Sequence, residues 1–233
     1  GVGWTLLQPL AMMVVFTLFL GRLAQIPSEG IPYSLFAYVA LMPWLLFSRT
    51  ISESATSLVT DQRLITRVYF PRILVPLATI LAAGIDFLLS LCLLFVLMFF
   101  YGFTPTLTVF WLPVFVLLMF VTAAGVGFWL SALNAEYRDV MYILPFLSQF
   151  WLFITPVVYP SSLVPSEWRA VYGLNPMAGV VEGFRWSLLG VGDGPSPMLF
   201  VSAAVSIVIF LTGFWWFSSR EGTLADTLGS GGR

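Results

Sequence analysis

The chain reads as an all-α integral membrane bundle of about six transmembrane helices, with short re-entrant helices before the last span. Three observations predict this class. Of the 233 residues 59% are hydrophobic and only 9% are charged. The mean hydropathy is +0.96, beyond what a water-soluble domain of this size carries. The apolar residues also form long unbroken runs, without the alternation that marks the strands of a membrane barrel.

A span needs about 20 mostly apolar residues, because a helix rises about 1.5 Å per residue and the hydrocarbon core is roughly 30 Å thick. Residues 4–20, 33–58, 73–101, 107–133, 140–159 and 198–217 meet that test. Pro9, Pro43, Pro76, Pro113, Pro145 and Pro156 fall inside these runs and are expected to kink helices whose freed carbonyls find other partners. Small residues at helical spacing, Ala78/Ala82 and Ala123/Gly127/Ser131, predict close backbone approach between helices. The lone Cys92 lies in an apolar run and reads as a packed side chain, not a nucleophile, and it cannot form an internal disulfide. The first run has no basic flank and no small-residue cleavage site, so it is expected to stay in the membrane. The chain starts at Gly1 without an initiating Met, which predicts an N-terminal truncation, and residues 229–233 read as a flexible polar end.

Charge placement sets the expected orientation. Arg63, Arg67 and Arg72 follow the second run, Arg138 follows the fourth and Arg220 the sixth, whereas Arg22, Arg169 and Arg185 lie on the other face. Arginines in short loops favour the cytoplasm, so both termini and residues 59–72 are assigned inside. Composition also removes chemistries. All ten basic residues are Arg and there is no His, so a P-loop lysine, a Schiff-base lysine, a histidine zinc ligand and a Ser-His pair are excluded. A net charge of −1 gives no basic surface for nucleic acid.

Two polar segments and one set of intramembrane charges do not fit a plain bundle. Residues 160–195 contain a helix too short to cross: Asn175 is a good N-cap, Pro176 suits the first helical position and Gly190 is a natural stop. Glu182 and Arg185 stand three apart, close enough to pair, and Gly179 and Gly183 allow close contact with a neighbouring helix. This segment dips into the outer leaflet or forms a simple extracellular hairpin; in the first case Ser187 should be reachable from outside and Ser219 should not. Before it, residues 165–173 read as a second short helix with Trp168 and Tyr172 at headgroup depth. Residues 61–72 mix Leu64, Ile65, Val68, Tyr69 and Phe70 with three arginines, a pattern shared by interfacial helices and by helices docked in a partner's groove. Arg49 and Glu53, four apart in the second run, can neutralise each other, and Asp86 lies in the third. Such charges are expected to be paired and to face protein or water, on a polar conduit or as a structural pair near the cytoplasmic end.

Several stretches then carry a resemblance. Trp4-Thr5-Leu6-Leu7-Gln8-Pro9-Leu10, Leu64-Ile65-Thr66-Arg67-Val68-Tyr69-Phe70-Pro71-Arg72 and Leu133-Asn134-Ala135-Glu136-Tyr137-Arg138-Asp139-Val140 are followed by Thr155-Pro156-Val157-Val158-Tyr159-Pro160 and Leu174-Asn175-Pro176-Met177-Ala178-Gly179-Val180-Val181-Glu182-Gly183-Phe184-Arg185-Trp186. In this order they resemble the permease subunit of the ABC-2 type exporters that move lipid-linked polysaccharides such as O-antigen, capsule and teichoic acid. The resemblance implies a single permease domain over residues 1–233, normally preceded by an amphipathic interface helix, in the bacterial cytoplasmic membrane. It implies a homodimer with two copies of a separate ATPase, which would bind the ATP and Mg while this chain holds no cofactor. Residues 59–72 would be the coupling helix, presenting Arg63, Leu64, Arg67, Val68, Tyr69, Phe70 and Arg72 to that ATPase. Arg49 and Glu53 would line the path of a phosphate-bearing head group, with Trp44, Phe150, Trp151 and Tyr159 as sugar-stacking wall residues. Asn175, Pro176, Gly179, Glu182, Gly183 and Arg185 would build an outer gate. An exporter of drugs or lipids fits the same pattern. An ion-coupled secondary transporter would use Glu53 and Asp86, but the two halves show no convincing repeat.

Overall fold

The computed structural model describes residues 2–68, 70–192 and 194–230. Among them every regular element is helical: α1 (Val2–Phe16) continues as a π-helical segment (Thr17–Leu23), followed by α2 (Tyr33–Thr60), α3 (Gln62–Arg67), α4 (Leu74–Phe100), α5 (Leu112–Glu136), α6 (Val140–Ile154), α7 (Ser166–Tyr172), α8 (Pro176–Leu189) and α9 (Pro197–Ser230). Five stretches are long and apolar enough to cross a membrane: Leu6–Leu23, Tyr33–Thr60, Leu74–Phe100, Leu107–Glu136 and Pro197–Gly222.

The sixth expected span is shorter than its apolar run. α6 stops at Ile154 after 15 residues, which reach about 22 Å against the roughly 30 Å of a bilayer core. The cause is local: Thr155 precedes Pro156, whose ring disfavours a helical conformation in the residue before it, and Thr155 is extended at φ −88°, ψ 142°. Pro156 therefore ends α6 instead of kinking it. Pro76 and Pro113 fall in the first turns of α4 and α5, where a missing N–H is harmless, and only Pro9, Pro43 and Pro145 lie inside helices.

α2 is the axis of the fold. It is the least apolar of the five long helices and the most buried, with α1, α4, α5, α6 and α8 packed around it. Lipid is as apolar as any protein core, so the hydroxyls of Thr50, Ser54 and Ser57 are kept towards neighbouring helices, not towards lipid. α9 lies along α5, close enough that a methyl on Gly125 would come within 2.6 Å of the Phe210 backbone. Across the same seam Thr122 donates to Ser206 at 2.8 Å and Trp129 stacks on Trp216 at 4.7 Å.

Small residues divide as the inward stripes dictate. Ala123, Gly127 and Ser131 are buried, with Gly127 against Ser54. Ala78 and Ala82 instead face outward, because α4 turns Val75, Ile80, Ala83, Phe87, Ser90 and Leu94 to the core. Cys92 is also on the outward face, not packed inside as its apolar run implied. The C-terminal end is helical to Ser230; the expectation of flexibility at residues 231–233 lies outside the described residues.

Candidate functional site

A cleft of about 460 Å³ opens between α1, α2, α4 and α6. Its apolar wall carries Met12, Trp44 and Leu152, and its polar wall carries Gln8, Arg49, Asp86, Ser148 and Gln149. Arg49 is the centre of its charge: Nε donates to Glu53 Oε1 and Nη1 to Asp86 Oδ2, both at 2.6 Å. The i,i+4 pair anticipated within α2 is thus a three-membered cluster reaching α4. Arg49 and Glu53 side chains remain 49% and 42% exposed, so the cluster is open to the cleft and holds spare guanidinium donors for an anion. By helix rise Arg49 stands about 16 Å from the α3 end of α2 and Asp86 about 18 Å along α4, which places them near mid-depth, deeper than a pair at the helix end.

The aromatic residues expected to line one conduit occupy different places. Trp44 is buried and only borders the cleft. Trp151 packs edge-on against Trp44 at 6.2 Å and Phe47 at 5.2 Å, and its Nε1 donates to Asn175 Oδ1 at 2.9 Å. Phe150 lies outside the cleft, on an outward face of α6 shared with Tyr142, Phe146 and Phe153. Tyr159 belongs to the α7–α8 region, where its hydroxyl sits 2.7 Å from that of Tyr172. Burial, then this hydrogen bond, pushes the Tyr172 phenol well above the usual tyrosine range, and Tyr172 also donates to the Ile154 carbonyl.

The expected gate is organised by one buried cation. Asn175 caps α8 by accepting from Met177 N, Pro176 takes the first turn, and Gly190 ends the helix at φ +69°, a conformation open to glycine. Arg185 is fully buried, the largest such side chain in the described residues. Its Nη1 donates to Glu182 Oε1 at 2.9 Å, Pro156 O at 2.5 Å and Tyr159 O at 3.2 Å, and its Nη2 to Val157 O at 2.7 Å. The plane of the guanidinium lies 3.7 Å from the Phe36 ring centroid. Residues 155–160 have left the helix and need partners for their carbonyls in an apolar surround; Arg185 serves those of Pro156, Val157 and Tyr159, and the Tyr33 hydroxyl serves that of Val158. The glycines allow the fit, since a side chain at Gly179 would strike Ser202 of α9 and one at Gly183 the Phe115 ring of α5. Ser187 is completely buried and not reachable from either face.

At the opposite end of the bundle, α3 follows α2 directly and turns Ile65 inward against Leu58 and Phe217, leaving Leu64 and Val68 exposed. The outward reading fails for two residues. Phe70 is half-buried and packs on the same internal cluster. Arg72 is held by α9, its backbone N–H donating to Glu221 Oε1 at 2.5 Å and its guanidinium to the Glu221 carbonyl. Tyr69 lies outside the described residues. The adjacent Arg220 pairs with Glu136 at the end of α5 and stacks 4.0 Å from the Trp216 ring centroid.

Sequence reasoning missed the polar lining of the cleft, because Gln8, Ser148 and Gln149 are unremarkable singly and converge only through helix packing. It also missed Asn134, which donates to Ala55 O at 3.0 Å and accepts from Met141 N at 3.1 Å, joining α2, α5 and α6. A buried amide in the polar turn of an otherwise apolar hairpin was the available signal.

Known proteins are similar in sequence to most of this chain. Residues 1–189 match the family described as ABC-2 type transporter. The O-antigen export system permease protein RfbA of Myxococcus xanthus is 30% identical over 231 residues, covering 98% of this chain and 88% of that protein. Its Klebsiella pneumoniae namesake is 28% identical over 188 residues, 79% of this chain and 71% of that protein. The polysialic acid transport protein KpsM of Escherichia coli is 24% identical over 233 residues, with 95% and 86% covered. This multi-pass membrane chain belongs to the ABC-2 type transporter family.

Proposed function

We propose that this chain is the membrane subunit of an ATP-driven exporter that carries a lipid-linked, O-antigen-like polysaccharide across the bacterial cytoplasmic membrane. The observation that carries the reading is the 30% identity to an O-antigen export permease along 98% of the chain. The chain itself does no ATP chemistry: a sequence without lysine has no P-loop, so hydrolysis and Mg belong to a separate ATPase. Two permeases and two ATPases form the working unit, with both termini and α3 on the cytoplasmic side, where Leu64 and Val68 meet the ATPase. In the cleft, the planar fork of Arg49 binds a phosphate of the lipid-linked head group while Glu53 and Asp86 hold that fork in place. The segment from α7 to α8 closes the outer end.

The test is ATP hydrolysis by the reconstituted permease and ATPase, titrated with isolated lipid-linked glycan. Glycan should stimulate the wild type, and Arg49→Leu should raise the half-maximal glycan concentration by about tenfold, the scale of a lost charge-assisted hydrogen bond. Stimulation indifferent to Arg49→Leu would reduce the cluster to a structural one, and export that needs no ATP would overturn the exporter reading.

A further inference from the structure

A second cavity, separate from the polar cleft, lies at the end of the bundle opposite α3. It holds about 430 Å³ between the π-helical segment, the start of α2 and the end of α4. Arg22, Ser34 and Tyr101 face it at one end, and Leu18 and Val14 flank it about one and two helical turns further along. The polarity is therefore ordered along the helix, cationic and hydroxylic at the end and apolar below, where Thr17 spends its hydroxyl on the Met13 carbonyl.

The polar groups are poised to donate. Arg22 is exposed and has no ion-pair partner among the described residues. Ser34 donates its proton to the Tyr101 hydroxyl at 2.7 Å, which leaves the Tyr101 proton for another acceptor. Tyr33 is already spent, donating to Val158 O at 2.7 Å. The backbone carrying Arg22 is held in place, because Gly21 sits so tightly on Tyr33 that a methyl there would come 2.8 Å from its Cγ. A seven-residue π-helical stretch is a rare geometry that recurs at functional sites. Neither end of this cavity is completed by the described residues: among them the cation has no anion, and Val14 and Leu18 have about half of their surface uncovered.

We propose that this cavity is the headgroup site of one phospholipid of the bilayer. Arg22 and Tyr101 donate to the phosphodiester oxygens, and Val14 and Leu18 line the first carbons of the acyl chains. A bilayer lipid is the occupant that satisfies both ends at once, since a free phosphate leaves the apolar wall bare and a plain acyl chain leaves Arg22 unpaired. The site is independent of the transported glycan.

Native mass spectrometry of the delipidated full chain in detergent tests it, with phosphatidylglycerol, diacylglycerol and glycerol 3-phosphate as probes. Wild type should retain one phosphatidylglycerol per protomer about tenfold more tightly than diacylglycerol, which offers the same chains without the phosphodiester, the scale of one charge-assisted contact. Arg22→Gln should abolish that preference, and Val14→Trp, which fills the apolar wall without touching charge, should expel the lipid. Equal retention by wild type and Arg22→Gln would overturn the proposal, as would retention unaffected by Val14→Trp. Displacement of the lipid by equimolar glycerol 3-phosphate would identify a soluble phosphate site instead and overturn it too.

Discussion

Arg185→Met asks the most direct question about how the α7–α8 segment is held. Met matches the arginine stem as far as Nε and suits an apolar surround, so the substitution removes the guanidinium and its contact with the Phe36 ring while keeping the packing of the stem. It leaves the Glu182 carboxylate, whose side chain is 13% exposed, with the long Ser161 N–H contact at 3.3 Å in place of its cation, and strips the carbonyls of Pro156, Val157 and Tyr159 of their donor. Breaking a buried ion pair costs about 3–5 kcal/mol and each buried unpaired carbonyl about 1–3 kcal/mol, so the loss should reach at least about 5 kcal/mol. For a chain of this size that lowers the midpoint of thermal unfolding by about 10–20 °C. The measurement is the fraction of detergent-solubilised protein that stays monodisperse after heating. Arg185→Lys should recover only part of the loss, since a point ammonium cannot serve carbonyls on both arms of a fork. The double variant Arg185→Met/Glu182→Met should be more stable than Arg185→Met alone, because the stranded carboxylate is gone. A midpoint within about 3 °C of wild type for Arg185→Met, less than the effect of a single hydrogen bond to a charged group, would refute this account of the segment.

Four further outcomes are expected. Gly183→Ala drives a methyl into the Phe115 ring and should cost about 1–3 kcal/mol, read as a lower unfolding midpoint, and Gly179→Leu should hold α8 off Ser202 and raise ion leak through reconstituted vesicles. Leu64→Asp and Val68→Asp should abolish co-purification with the ATPase at unchanged thermal stability, whereas Phe70→Asp should lower stability because Phe70 packs on the chain's own core; the same profile for all three would be the wrong result. In a Cys92→Ala background, a cysteine at the exposed Ser162 should react with a membrane-impermeant thiol reagent on intact cells while one at Ser219 stays protected, and the reverse pattern would invert the topology.

The spans and short helices were legible because their signals are local: run length, the Asn175-Pro176 start, the Gly190 stop and the i,i+4 spacing of Arg49 and Glu53. Where the reading failed, the deciding interaction lay elsewhere in the chain. Thr155-Pro156 ends α6 inside an apolar run, and composition alone cannot register that a guanidinium from α8 then serves the released carbonyls. Asp86 was visible as an intramembrane acid, but its partner across two helices was not. Phe70 and Arg72 look like exposed docking residues until α9 is placed beside them. Cys92 and Ala82 show the general limit in a membrane chain, since an apolar run has no polar face to tell which side meets protein.

The central position of α2 has a consequence for biosynthesis. During insertion this helix reaches the bilayer before α4 and α5 exist, so its serines, threonines, Arg49 and Glu53 first meet lipid and the translocon. Each charged residue near the middle of an inserting helix costs about 2.5–3.5 kcal/mol on insertion scales. The contact between Arg49 and Glu53 lies within a single helix and is available at once, whereas Asp86 arrives a whole span later. The nascent chain therefore carries its own provisional counter-ion, and the marginal helix at its core becomes secure only when the helices that follow it have been made.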